Sequence, residues 1–201
     1  MTTMPSGDLL HVATWWQEHG ADRPRVVAWI QDPADDDDAT NAIHRAVDSG
    51  ATLIALRASG DEAVARASVS LAAKVDAIAV RDQPADMSDL EWMRQVAMIR
   101  DVRAGGDPSE REPAIAAVAA ALRTARDRAT PVVFDGLIAH AGALLEGVFD
   151  PSWLPAASST DPAIQVAQQV WKVKPALDLH LRADDDLGLR TVLAVLDVLE
   201  N

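Results

Sequence analysis

The sequence has no cysteine. It can therefore form no disulfide framework, no thiolate zinc site and no cysteine nucleophile, which agrees with a reducing, cytoplasmic setting. Basic residues are scarce: 18 Lys and Arg stand against 31 Asp and Glu, a formal net charge of −13. So acidic a chain repels phosphate backbones and anionic headgroups, which argues against nucleic-acid and membrane-surface roles. Met1 to Asp8 offers neither a basic start nor an apolar run, and no later segment is apolar over a bilayer's thickness. A nucleophile elbow, a Walker loop and a dinucleotide fingerprint are all missing. His11, His19, His44, His140 and His180 show no metal-ligand spacing, so neither a metal nor another cofactor is expected.

What is present points to an α/β protein. With 201 residues, 49% of them hydrophobic, the chain can bury one substantial core, and a single domain over 1–201 with an N-terminal helical segment over 1–24 is expected. Aliphatic, β-branched runs occur at Arg25–Ile30, Ala51–Leu56, Ala77–Val80 and Pro131–Phe134. Their near-continuous apolar character suits strands of a parallel sheet covered on both faces. Between them Ala39, Ala42, Ile43, Ala46 and Val47 follow a helical period that Gly50 ends. Ser88–Glu91 and Ser109–Glu112 fit the capping box, and Met87 with Trp92 fits the hydrophobic staple. Further helices are expected near Gly136–Glu146, Thr160–Trp171 and Asp185–Leu199. This alternation predicts a three-layer, Rossmann-like domain, a mostly parallel sheet flanked by helices. The tryptophans suit core or interface packing. If the chain docks on a partner, an exposed apolar patch with Trp15, Trp16 or Trp153 is expected.

In open α/β sheets ligands sit beyond the carboxyl ends of the strands, so the residues that follow the strands are candidates. Asp35–Asp38 could hold a magnesium ion, but consecutive side chains diverge, and capping of the next helix is the simpler reading. Arg57–Glu62 is a strand, a turn and a helix start with one glycine, Gly60, whose following acids occupy the place of an anion. Asp135-Gly136 fits either close approach of a ligand or a helix cap. Asp184–Asp186 could supply a general base or simply a capping cluster.

The segment Pro131–Ile138 with its small-residue continuation Ala139–Leu144, then Leu154-Pro155, Ser159, Asp161 and Lys174–Arg182, resembles the nicotinate-nucleotide:dimethylbenzimidazole phosphoribosyltransferase family of cobalamin biosynthesis. Weaker likeness extends through Gly50–Leu56 and Met93–Ile99. The resemblance implies transfer of phosphoribose from nicotinate mononucleotide to a benzimidazole-like base, with Asp185 in the position of the family's general-base glutamate. It also implies Gly60, Asp135, Gly136, Ser159, Asp161, Arg182 and Gly188 as substrate-binding positions, and a homodimer or a heterodimer with a homologue. The chain departs from the family's pattern at several glycines. Asp184 and Asp186 flank Asp185 where the family has glycines; the phosphate loop falls on Arg57–Ala63 with only Gly60 retained. The loop's second acid falls on Ala58, the Ser-His pair on Ala156-Ala157 and the Gly-Gly-x-Glu segment on Arg111–Ala114. Carboxylates that replace glycines add bulk and like-charge repulsion toward phosphate. The expectation is a short, catalytically impaired member that acts as a binding or partner subunit; the alternative is an active phosphoribosyltransferase with an altered substrate.

Overall fold

The computed structural model describes residues 6–20, 22–107, 110–181 and 186–199. Helix α1 (Ser6–His19) precedes strand β1 (Val27–Gln31), α2 (Asp36–Asp48), β2 (Leu53–Arg57) and α3 (Glu62–Ala73). Then follow α4 (Asp89–Ala104), α5 (Pro113–Asp127), β3 (Val132–Asp135) and α6 (Leu137–Leu145). The chain closes with β4 (Trp153–Pro155), β5 (Ala157–Ser159), α7 (Pro162–Trp171), β6 (Leu177–Leu181) and α8 (Leu187–Leu199).

Strands β1, β2, β3 and β4 form a parallel sheet in that order, and β5 pairs in parallel with β6. The two sheets run on into one another at Ala156, whose N–H donates to the Phe134 carbonyl at 2.8 Å and whose carbonyl accepts from Leu177 N at 3.1 Å. Side chains alternate across this sheet. Ile54, Leu56, Val132 and Phe134 enter a core with helices α2 to α7, whereas Leu53, Ala55, Val133 and Leu154 enter a second core with α1 and α8. The result is the expected three-layer α/β domain. Both faces of β2 and β3 are covered, so neither strand shows polar alternation. Each fully buried Leu or Ile here contributes roughly 1.5–3 kcal/mol.

Local sequence explains most element ends. Asp35 caps α2, accepting from Asp38 N at 2.9 Å, so this acidic run starts a helix. Gly50 ends α2 at φ +96°, with Gly50 N bonded to Val47 O and Ala51 N to Ala46 O. Ser88 caps α4 through Glu91 N at 3.2 Å, the serine half of the expected capping box.

Three expectations are corrected. Ala77–Val80 is a short 3₁₀ turn, not a strand: Asp76 caps it through Ile78 N, and Ala77 and Val80, three apart, share its buried face. The helix expected to begin at Ser109–Glu112 starts later. Proline disfavours helical backbone in the residue before it, so Glu112 stays extended (φ −127°, ψ 90°) as the cap while Pro113 opens α5. Ser109 itself lies outside the described residues. Finally, Trp15, Trp16 and Trp153 are buried at 5%, 3% and 1% exposure, and Trp29 on β1 is instead half-exposed at 49%. Strands β4, β5 and β6 are not anticipated by the apolar runs of the sequence. Among the described residues no helix is long and apolar enough to cross a membrane.

Candidate active site at the carboxyl ends of the strands

The parallel strands place their carboxyl ends on one side of the sheet. Parallel register sets Gln31 beside Arg57 and Arg57 beside Asp135, so the turns after β1, β2 and β3 are neighbours. Four backbone N–H groups of the turn after β2 and the start of α3, which in an open turn would face a ligand, are engaged by the protein's own carboxylates. Asp32, at φ +49°, accepts from Ser59 N at 2.6 Å. Glu112 accepts from Asp61 N at 2.6 Å through one oxygen and from Ala114 N at 3.3 Å through the other. Asp61 accepts from Ala63 N at 2.8 Å and Val64 N at 3.2 Å, capping α3. Gly60 makes room for this arrangement: a Cβ there would stand 2.9 Å from the Glu112 carboxyl carbon and 3.0 Å from Ile138 Cδ1.

Asp135, Gly136 and Gly188 come together beyond β3. Asp135 is 8% exposed and accepts from Gly136 N at 2.9 Å. Gly136 lies at φ +90°, where side chains are strained, and starts α6 without a side-chain cap. Gly188, in the first turn of α8, lies against the Asp135 carboxylate; an added Cβ would meet Oδ2 at 2.5 Å and Ala157 Cβ at 2.9 Å. That close approach explains why this position carries no side chain.

Ser159 and Asp161 are committed to structure. The Ser159 hydroxyl donates to the Leu181 carbonyl at 2.8 Å and accepts from Asp161 N at 3.0 Å. Asp161 caps α7 through Ala163 N and takes a bidentate pair from Arg66 at 2.9 and 2.6 Å. Arg66, 4% exposed, also donates to the Val80 carbonyl at 2.7 Å, tying α3 to the 3₁₀ turn and to α7. Burial alone would lower the Arg66 pKa, but the Asp161 and Glu62 carboxylates outweigh it and hold it above its usual value. Asp185 and Arg182 lie outside the described residues.

Beside this cluster a cavity of about 300 Å³ opens between the start of α3 and α4, lined by Asp61, Glu62, Ala63, Arg66, Arg81, Gln95, Met98 and Ile99. Arg81 Nε has no hydrogen-bond partner among the described residues. Sequence patterns single out neither arginine, because Arg66 lies inside a helix and Arg81 follows a turn that reads as a strand; only folding brings them to one cavity. Ala156 and Ala157 are buried methyl groups at 0% and 2% exposure, offering no polar side chain there.

Behind the site His140 is fully buried, with Nδ1 at 2.8 Å from the Gly136 carbonyl and Nε2 at 3.3 Å from the Gln168 amide nitrogen. Gln168 also donates to the Ala157 carbonyl at 3.1 Å. Desolvation lowers the His140 pKa to about 4, against which the Gly136 hydrogen bond pulls upward. The ring is thus neutral near pH 7; its two contacts fit a proton on Nδ1 and a lone pair on Nε2.

Residues 38–198 match the DBI_PRT phosphoribosyltransferase family model. The chain is 29% identical over 166 residues to the nicotinate-nucleotide–dimethylbenzimidazole phosphoribosyltransferase of Mycobacterium tuberculosis, covering 75% of this chain and 46% of the relative. It is 28% identical over 190 residues to that of Mycobacterium leprae, covering 83% and 54%. A crystal structure of the enzyme of that name from Thermus thermophilus superposes with a TM-score of 0.67 at 19% identity, over 82% of this chain and 54% of that one. A second structure from the same organism gives 0.65 at 20% identity. The chain spans about half the length of the curated relatives it matches. On the matched family model and the shared fold, this chain belongs to the nicotinate-nucleotide–dimethylbenzimidazole phosphoribosyltransferase family.

Proposed function

We propose that this chain is a catalytically impaired member of the family, a binding or partner subunit linked to cobalamin biosynthesis rather than an efficient phosphoribosyltransferase. One observation carries the reading: the N–H groups of Ser59, Asp61, Ala63 and Val64 are bonded by the carboxylates of Asp32, Glu112 and Asp61. A phosphate seated at this turn would have to displace anionic acceptors and then lie beside them. Each carboxylate within about 4 Å of a phosphate oxygen costs on the order of 1 kcal/mol in water and several at a partly buried site. The ligand best matched to the remaining surface is a benzimidazole-like base or a weakly held nicotinate mononucleotide. Asp135, Gly136 and Gly188 would contact it on one side and Gly60 on the other; Ser159 and Asp161 would position the backbone that frames it.

The second reading, an active transferase, is favoured by the cavity with Arg66 and Arg81, where two cations flank the start of α3. In that reading Asp185 takes the azole proton as the ring nitrogen attacks the ribose C1′, and nicotinate leaves with the bonding electron pair. Arg182 would help position the nucleotide.

The deciding experiment incubates pure protein with nicotinate mononucleotide and dimethylbenzimidazole and follows free nicotinate by chromatography. The impaired-member reading expects none above the protein-free control. Nicotinate release that Asp185→Ala abolishes would establish the active enzyme instead. Co-purification with a full-length homologue tests the partner role.

A further inference from the structure

A second cavity of about 300 Å³ opens on the flank of the domain. Ser68, Leu71 and Ala72 of α3 and Ala141, Leu144 and Leu145 of α6 line its walls, and the fully buried Ile115 of α5 lies at its base. Each set of three follows the i, i+3, i+4 spacing of a single helical face, so two helix faces enclose the space. Alanine at 72 and 141 leaves room between them, while Gly142 holds α6 close on α5: a Cβ there would stand 2.6 Å from Val118 Cγ1. Leu71 and Leu145, 38% and 45% exposed, form the rim, whereas Ala141 and Leu144 are buried. The starts of α3 and α6 adjoin the candidate active site; the cavity lies along their second halves.

The helix faces that enclose this space are aliphatic except for one hydroxyl. Ser68 Oγ is shut off from solvent yet has no hydrogen-bond partner among the described residues. Hydroxyls inside a helix often donate to the carbonyl one turn back. Thr124 does so to Ala120 at 2.8 Å and Thr191 to Leu187 at 2.6 Å, and Ser70, on the same helix as Ser68, donates to the Val75 carbonyl at 2.7 Å. A buried hydroxyl left unpaired is destabilising, so its place on a cavity wall points to a ligand atom as its partner. Among the described residues the lining has one charged side chain, Asp107, and no lysine or arginine, so an organic anion would meet no counter-charge there.

We propose that this cavity is a binding site for a small neutral ring compound bearing a hydroxyl group, its rings between the leucines of α3 and α6 and its oxygen hydrogen-bonded to the Ser68 hydroxyl. An apolar cavity of roughly 150 Å³ suffices for benzene, so the larger volume here accommodates two fused rings. A rigid ring system fills it with few rotors to freeze, an advantage over a flexible chain of the same volume. A ring hydroxyl both donates and accepts, which matches a serine that can do either. The cavity shares no residue with the candidate active site, and the proposal stands or falls independently of the function proposed for that site.

Titration of the full chain with 2-naphthol, followed by calorimetry and amide NMR, tests the site. Saturable binding is expected, with a dissociation constant on the order of 0.1 mM for so small a ligand. The shift changes should centre on Ser68, Ala72, Ala141 and Leu145. 2-Naphthoate, of similar size but anionic, should bind about ten-fold more weakly or worse. Ser68→Ala should weaken 2-naphthol roughly three- to ten-fold and leave naphthalene binding unchanged. The same variant should not lower the melting temperature, because it removes an unpaired buried hydroxyl. Ala72→Trp, at an exposed residue of the α3 wall, should block the cavity and abolish binding with the circular dichroism spectrum unchanged, and Leu145→Trp repeats the block from α6. No saturable binding at millimolar 2-naphthol would overturn the proposal. So would binding that survives both tryptophan variants, that loses nothing in Ser68→Ala, or that 2-naphthoate equals.

Discussion

Acidification should destabilise this protein through one buried ring. His140 is fully buried with a pKa of about 4, against 6.5 for an unperturbed histidine. The unfolded chain therefore binds a proton between these values that the native state refuses. Native stability from the neutral ring is fully present above pH 6.5 and is lost as pH falls toward 4. With 1.36 kcal/mol per pKa unit, the loss is about 2 kcal/mol by pH 5 and about 3 kcal/mol by pH 4. Urea unfolding at closely spaced pH values measures it directly, and the control is His140→Asn, whose amide nitrogen can replace Nδ1–H toward the Gly136 carbonyl. The variant is expected to be less stable near pH 7, because it gives up the contacts of the ring with Phe134 and Trp171. Its stability should nevertheless fall less steeply between pH 6.5 and 4, and the difference between the two curves isolates the ring. Parallel curves would refute the argument, because the destabilisation would then come from the acidic groups that both proteins share.

Other outcomes follow from the same geometry. Gly188→Ala drives a methyl group into Asp135 and Ala157 and should cost about 1–3 kcal/mol, seen as a lowered melting temperature. Arg66→Met should destabilise by about 3–5 kcal/mol by leaving Asp161 buried without its cation, whereas Arg66→Met with Asp161→Asn should cost less than the sum of the two single changes in a double-mutant cycle. Glu112→Gln keeps an acceptor for Asp61 N but removes a charge from the turn; inorganic phosphate binding, followed by calorimetry, should tighten about five-fold, equivalent to about 1 kcal/mol.

Part of the site is legible without coordinates, and the remainder shows what one-dimensional patterns leave out. Asp135-Gly136 stands out because a strand of four buried residues ends there, and Gly188 stands out by position in a motif; their mutual contact needs the fold. Gly60 looks like a remnant of a phosphate loop. In the folded chain it admits Glu112, a residue 52 positions away that no local pattern connects to it. Ser159 and Asp161 resemble ligand contacts in the sequence, yet their polar atoms serve Leu181, α7 and Arg66. β4 and β5 escape notice because each is three residues long, too short for a period to register, and a proline ends the first.

Features that depend on neighbours along the chain could be read from the order of residues alone. The apolar runs made β1, β2 and β3, while Asp35, Ser88, Gly50 and Gly136 set helix ends through hydrogen bonds and backbone angles only a few residues long. The excess of carboxylates over cations was equally plain. Folding alone settled which carboxylate meets which partner, because those contacts join turns whose spacing is set by the parallel register of the strands, not by sequence distance. It also decided that Ala77–Val80 would be a turn packed under Arg66, since four apolar residues fit a strand or a 3₁₀ segment equally well until the surrounding core selects one.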